Sequence, residues 1–169
     1  MMHPPSGSPE TKFLLFHCAE LICALPASAV KELLHMADLS SPPGLPKVLA
    51  GFLNLRGSVI PVLKLDRMFA FPESEPSAYT PLIILRTEPA LGLLVQSVDH
   101  LACCGPEVYL PVPEEHIFKE CVEAILNFAG VSVYLLSLPG LLLEQERHLL
   151  TEFQAMEQQR LLDLEKTAA

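Results

Sequence analysis

The chain contains a repeat of itself. Phe52-Leu53-Asn54-Leu55-Arg56-Gly57-Ser58-Val59-Ile60-Pro61-Val62-Leu63-Lys64-Leu65 aligns without a gap on Ile125-Leu126-Asn127-Phe128-Ala129-Gly130-Val131-Ser132-Val133-Tyr134-Leu135-Leu136-Ser137-Leu138, an offset of 73 residues. Leu53, Asn54, Gly57, Leu63 and Leu65 are identical in the second copy, and most other positions stay apolar. A weaker echo pairs residues 28–33 with 97–101, allowing one gap. Two copies are too few to stack as a solenoid, so the repeat predicts two similar small β-barrels packed together.

The repeat also separates what the fold needs from what it does not. Both turns carry glycine, Gly57 and Gly130, because a residue without Cβ tolerates positive φ. Asn54 and Asn127 can each turn their amide onto nearby backbone. Arg56, however, faces Ala129, so this hairpin forms without arginine. An exposed arginine that the fold does not demand is a binding candidate, since its planar fork suits bidentate contact and arginine is enriched at interface hot spots. A solvated turn residue is the competing reading.

Length and composition limit the function classes. A chain of 169 residues can bury roughly 68–70% of its unfolded surface, so it needs no disulfide or metal staple. Half its residues are apolar, and its mean hydropathy is +0.36, which excludes a disordered chain. Its 16 prolines are about twice the usual share of roughly 5%, which argues against an all-helical bundle. The net charge of −9 is uneven: residues 1–70 sum to +1 and residues 71–169 to −10. With no Lys/Arg cluster to meet phosphates, nucleic-acid binding is excluded as a function class.

The five cysteines include no Cys-x-x-Cys pair, so no zinc site is expected. They read as reduced, mostly buried thiols of a cytosolic protein. Met1-Met2-His3-Pro4-Pro5 has neither the basic nor the apolar region of a secretion signal. Residues 124–143 are uncharged and long enough on paper to span a bilayer. They include Asn127, Gly130, Ser132, Ser137, Pro139 and Gly140, and are flanked by Glu123 and Glu144. Alternation at Val131-Ser132-Val133-Tyr134 makes this segment two buried strands instead.

Along the chain, residues 1–11 read as a flexible tail. Strands are expected over 12–17 and 20–25 around a turn near Cys18-Ala19, and over 82–87, 91–96 and 98–103. Residues 49–63 read as strand, turn and strand, with Pro61 suggesting a sheet edge or bulge. Residues 65–69 can make one helical turn. Residues 38–46, 71–81 and 105–115 are proline-rich loops. Residues 141–166 lack glycine and proline and form a helix, with Ser137-Leu138-Pro139 as its start. Leu149, Leu150, Phe153, Met156, Leu161 and Leu164 keep mostly to one face. A helix packed on its own domain is the expected reading, ahead of one that docks a partner.

The sequence 51–63, Gly51-Phe52-Leu53-Asn54-Leu55-Arg56-Gly57-Ser58-Val59-Ile60-Pro61-Val62-Leu63, resembles the chemotaxis coupling protein family, the CheW-like domain. So do the preceding proline-rich loop and Leu91-Gly92-Leu93-Leu94-Val95-Gln96-Ser97-Val98, and the likeness runs over roughly residues 12–145. The resemblance implies a mainly β fold: two packed five-stranded SH3-like β-barrels, followed here by a C-terminal helix at 146–169. It places residues 12–19 plus 81–145 in one barrel and 20–80 in the other. It also implies a non-catalytic cytoplasmic adaptor without cofactor or metal. Such an adaptor couples the cytoplasmic tip of a methyl-accepting chemoreceptor to the regulatory domain of a CheA-like histidine autokinase, and reaches the membrane only through those partners. Arg56, with Gly51 and Gly57, then belongs to the coupling surface, and Val30 lies where receptor contact is expected.

The chain departs from the family at Lys64, where Asp is usual, and at Ala129, where an acidic residue is common. The departures suggest a dedicated chemosensory pathway other than swimming chemotaxis. The alternative function is a small cysteine-dependent enzyme using Cys103 or Cys104 with His100 as base. Residues three apart on a strand face opposite ways, which is poor geometry for proton transfer.

Overall fold

Hairpins dominate the fold, and the way they are shared between two sheets organises it. The computed structural model describes residues 11–35, 39–41, 43–69, 71, 79–88, 90–104, 109–110, 121–128 and 130–167. In chain order these give β1 (Thr11–Cys18), β2 (Leu21–Pro26), a 3-10 turn (Ala27–Ala29), β3 (Val30–His35), β4 (Leu49–Leu55), β5 (Ser58–Lys64) and α1 (Leu65–Met68). There follow β6 (Pro81–Leu85), β7 (Leu91–Leu94), β8 (Ser97–Cys104), β9 (Tyr109–Leu110), β10 (Val122–Phe128), β11 (Val131–Leu136) and α2 (Leu138–Thr167). One sheet has the order β8-β1-β2-β11-β10-β9 and the other β3-β6-β7-β5-β4.

Leaving aside the two-residue β9, the sheets correspond strand for strand: β8 to β3, β1 to β6, β2 to β7, β11 to β5 and β10 to β4. Each is antiparallel except for one parallel pair, β2 with β11 and β7 with β5. The two halves of the chain are therefore exchanged. The β1–β2 hairpin of the first half completes the sheet made by the second, and the β6–β7 hairpin of the second half completes the sheet made by the first.

This corrects the expected barrel boundaries. β2 stays with β1 because the chain reverses at Ala19, which takes a φ of 53°, and the two strands pair from Phe13↔Pro26 to Cys18↔Leu21. It crosses to the other sheet only after Pro26, which has no N–H with which to extend the ladder. The β6–β7 hairpin likewise stays with β3, β4 and β5. The division is thus 11–26 with 97–136 against 30–94, not 12–19 plus 81–145 against 20–80.

The central strands β1, β2, β6 and β7 are buried on both faces over most of their length, and this accounts for their unbroken apolar runs. Side chains alternate along a strand. In β1, Phe13 and Leu15 enter the core of their own barrel, while Leu14 and Phe16 enter a core shared between the barrels. In β6, Leu82 and Ile84 fill the second barrel, and Ile83 and Leu85 join the shared core. Pro61 lies in β5, an interior strand and not an edge, but the parallel ladder with β7 begins one residue later at Val62. Its missing N–H is therefore not required there. β9 is a short strand within the segment read as loop.

The membrane-length segment is β10, β11 and the start of α2, and no helix among the described residues is long and apolar enough to cross a membrane. Ser137 starts α2 as expected: its Oγ accepts the Gly140 N–H at 3.1 Å, as an N-cap does. Leu141 is fully buried in the shared core, with Leu138, Leu142 and Leu149 packed against it. Further along, Ala155, Met156 and residues 158–167 are exposed. The helix is therefore packed on its own domain at its start and solvent-facing at its end. Residues 1–10, and Ala129 in the second turn, lie outside the described residues.

Candidate functional site

Leu55 pairs with Ser58, so Arg56 and Gly57 form a two-residue turn. Their φ values are 50° and 87°, both positive as a type I′ turn requires. Asn54 Oδ1 accepts the Gly57 N–H at 3.1 Å, and Asn127 Oδ1 accepts the Gly130 N–H at 2.9 Å, so the shared asparagines do the same work in both hairpins. A type I′ turn favours Asn, Asp or Gly at its first position, and a non-glycine residue held in the left-handed region costs on the order of 1 kcal/mol. Arg56 occupies that position against its conformational preference.

The side chain is 73% exposed, and its Nη2 donates to Glu32 Oε1 at 3.0 Å. Glu32 lies on β3 and Arg56 follows β4, the opposite edges of the five-stranded sheet. The pair therefore bridges the two edges of the sheet. Exposed pairs of this kind are worth about 0–1 kcal/mol. For Arg56→Asn the turn gain offsets the lost pair, so its melting temperature is expected to equal or slightly exceed that of the natural chain. A loss above about 1 kcal/mol would make Arg56 structural.

β3 alternates in exposure from Val30 to His35. Val30 is half-buried against the shared core, while Leu33 is 47% exposed. β8, the edge of the other sheet, presents Leu101 at 58% exposure. Between these edge strands runs an open groove of about 330 Å³, lined by Leu14, Ala27, Val30, Leu33 and Leu101 together with Lys31 and Glu32. Glu32 thus belongs to the groove and also holds Arg56, which brings Val30, Arg56 and Gly57 to one region.

Gly51 is placed differently. It is buried in β4 beneath the segment 39–41, whose Ser40 exchanges two backbone hydrogen bonds with Phe52, each 2.9 Å. A Cβ on Gly51 would stand 2.8 Å from the Ser40 carbonyl oxygen. Sequence reasoning singled out Val30 but not Leu33 or Leu101. The weak echo held the available signal, because those two leucines end its two segments and occupy matching edge strands.

The cysteine-enzyme alternative gains nothing from the geometry. His100 and Cys103 are both exposed on β8, three residues apart, and no hydrogen bond joins them among those described. The Cys104 side chain lies outside the described residues. His17 Nε2 instead meets Asp99 Oδ2 at 2.8 Å across β1 and β8. No group of three or more His, Cys, Asp or Glu among the described residues could hold a metal ion.

Burial pushes the Cys18 thiol up to about 12, with Asp66 adding to it, and burial also raises Cys23, with Cys18 adding to it. A thiol raised above its unfolded value of about 8.5 contributes stability below that pH, and the contribution declines as pH rises toward the folded value. At pH 8, iodoacetamide is expected to modify Cys103 in the folded chain and neither Cys18 nor Cys23. Labelling of either buried thiol at the rate of Cys103 would contradict this.

Residues 12–146 match the CheW-like domain family. The chain is 26% identical over 121 residues to the probable chemotaxis protein CheW of Rhizobium etli, covering 70% of this chain and 78% of that protein. It is 23% identical over 122 residues to the chemotaxis protein CheW of Rhizobium meliloti, covering 70% and 79%. The crystal structure of scaffolding protein TtCheW from Thermoanaerobacter tengcongensis superposes with a TM-score of 0.71 at 24% identity, covering 76% of this chain and 90% of that one. The fold is thus the pair of SH3-like β-barrels expected from the sequence.

Proposed function

This chain belongs to the CheW-like domain family, and from that premise we propose that it is a non-catalytic chemosensory adaptor joining chemoreceptors to a histidine autokinase. The observation that carries the reading is the apolar groove between edge strands β3 and β8, coupled through Glu32 to the exposed guanidinium of Arg56. An amphipathic helix suits such a groove, since its apolar face can cover Val30, Leu33 and Leu101 together. That helix is the cytoplasmic tip of a chemoreceptor. Arg56, presented on the turn with Gly57, meets the regulatory domain of the kinase. Gly51 serves the same surface from below by holding segment 39–41 against β4.

The adaptor works in the cytoplasm, beside the membrane through its partners, and needs no cofactor. The groove is small, so each contact is weak and an array of linked contacts supplies the avidity. Leu101→Glu places a charge in the groove at an exposed position where folding does not depend on the leucine. It is expected to weaken binding of a purified receptor cytoplasmic fragment at least about tenfold, as loss of an interface anchor does, while kinase-domain binding is retained. Receptor affinity unchanged by Leu101→Glu and by Leu33→Glu would remove the groove from the account.

A further inference from the structure

We propose that Lys31 and Arg86 form a carboxylate-binding subsite at the rim of the β3–β8 groove, so that the groove selects receptor helices carrying an acidic side chain beside their apolar face. The inference rests on reading the groove as the receptor-docking surface, and adds the charge that its occupant must bring.

The two halves of the chain supply the comparison. In the weak echo between residues 28–33 and 97–101, Val30 stands against Val98, Lys31 against Asp99 and Leu33 against Leu101. The ladders match as well: Val30 on edge strand β3 pairs with Leu85 of β6, and Val98 on edge strand β8 pairs with Phe16 of β1. The residues that follow Leu85 and Phe16, namely Arg86 and His17, therefore hold equivalent places. In the second pairing these places close on each other, His17 Nε2 meeting Asp99 Oδ2 at 2.8 Å. In the first they hold two cations, Lys31 and Arg86, both exposed. The fold thus accepts a pair satisfied within the chain at one site and sets two like charges at the other.

Geometry brings the two cations together beside the apolar lining. Val30 pairs with Leu85 and Glu32 with Ile84, which leaves Lys31 as an extra residue in β3. Bulges of this kind re-aim a side chain, and Lys31 lines the groove with Val30 and Leu33. Arg86 Nε donates at 3.3 Å to the Val30 carbonyl, which belongs to the peptide joining Val30 to Lys31. The acid next to Lys31 is engaged within the chain, Glu32 by Arg56 at 3.0 Å. Glu88, exposed two residues beyond Arg86, forms no ion pair with either cation among the described residues. The chain as a whole carries −9, so two cations at the rim of an apolar groove are a local reversal of its charge. Such a rim suits a carboxylate, which arginine meets through its planar fork and lysine as a point charge. Complementary charge at an interface governs partner choice and association rate more than raw affinity.

Titration calorimetry of a purified chemoreceptor cytoplasmic fragment against the full chain tests this with two variants. One carries Lys31→Glu and Arg86→Glu, and the other carries Lys31→Asp and Arg86→His, which copies the closed pair of the other half. Circular dichroism checks that both fold. The natural chain is expected to bind the fragment, and less tightly as salt is raised. The charge-reversed chain is expected to bind at least about tenfold more weakly, and the copied pair to bind weakly with little dependence on salt. Each Asp and Glu of the fragment's tip is then replaced in turn by Lys. One replacement is expected to weaken binding to the natural chain and to restore it to the charge-reversed chain. Undiminished affinity in the charge-reversed chain, or a loss that no tip replacement restores, would overturn the proposal. So would self-association of the natural chain that the charge-reversed chain loses, since it would give the two cations to the acidic surface of a second copy. The double variant Leu33→Glu with Leu101→Glu separates the readings. If it loses the fragment while the charge-reversed chain keeps it, this proposal alone is overturned. If it keeps the fragment while the charge-reversed chain loses it, the groove assignment alone is overturned. A fragment that the natural chain does not bind would overturn both.

Discussion

A chain carrying Arg56→Glu is expected to melt within about 1 kcal/mol of the natural protein and to bind the kinase regulatory domain roughly 30-fold more weakly. That loss is the size of a hot-spot change, about 2 kcal/mol. The two effects separate because the fold uses Arg56 lightly. Its side chain is 73% exposed, and its one described ion pair, with Glu32, lies at the surface. The backbone would rather have Asn or Gly at this turn position, where φ is 50°. A costly residue that contributes little to stability is the signature of a site kept for contact. The double variant Arg56→Glu with Glu32→Arg restores the bridge between the two sheet edges but not the guanidinium on the turn. It is expected to stay weak in binding. Recovery of binding in that swap would assign Arg56 to holding the barrel closed and not to the partner.

For Gly51→Ala the expected effect is on stability: a loss of about 2 kcal/mol, lowering the melting temperature by roughly 4–8 °C. The new Cβ would lie 2.8 Å from the Ser40 carbonyl oxygen and 3.0 Å from both Leu39 Cβ and Ser41 Oγ. The first of these is backbone and is held in place by the Ser40–Phe52 hydrogen bonds, so either β4 or the crossing segment must move. Thermal unfolding followed by circular dichroism measures this. An unchanged melting temperature with impaired kinase binding would instead make Gly51 part of the contact surface itself.

What the sequence could reveal followed from the range of the interactions involved. The turn at Arg56-Gly57 was legible because its chemistry is local and because the second hairpin acts as an internal control, with Ala129 in place of arginine. The cap at Ser137 and the asparagine bonds in both turns are local in the same way. The exchange of hairpins between sheets was not legible. β1 and β2 pair with each other whichever sheet they join, so nothing in their residues states that β11 will lie beside β2. Of the edge or bulge that Pro61 suggested, the edge was wrong, since β5 is interior and the ladder to β7 starts after it. A register irregularity does lie close by, between Leu49 and Gly51 of the paired β4. The groove was hidden because an alternating strand does not announce which leucine faces solvent. Leu33 and Leu101 become a surface only once β3 and β8 are both sheet edges. The length of α2 was readable, but that the shared core ends well before the helix does is a property of the packed barrels.

The central claim is that one chain holds a receptor and a kinase at the same time on separate surfaces. Its most direct test is analytical ultracentrifugation of the purified chain with a chemoreceptor cytoplasmic fragment and an autokinase regulatory domain, alone and together. Three proteins sedimenting as one complex are expected, with Leu101→Glu releasing only the receptor fragment and Arg56→Glu only the kinase domain. Binding of either partner that excludes the other, or binding of neither by the folded chain, would contradict it.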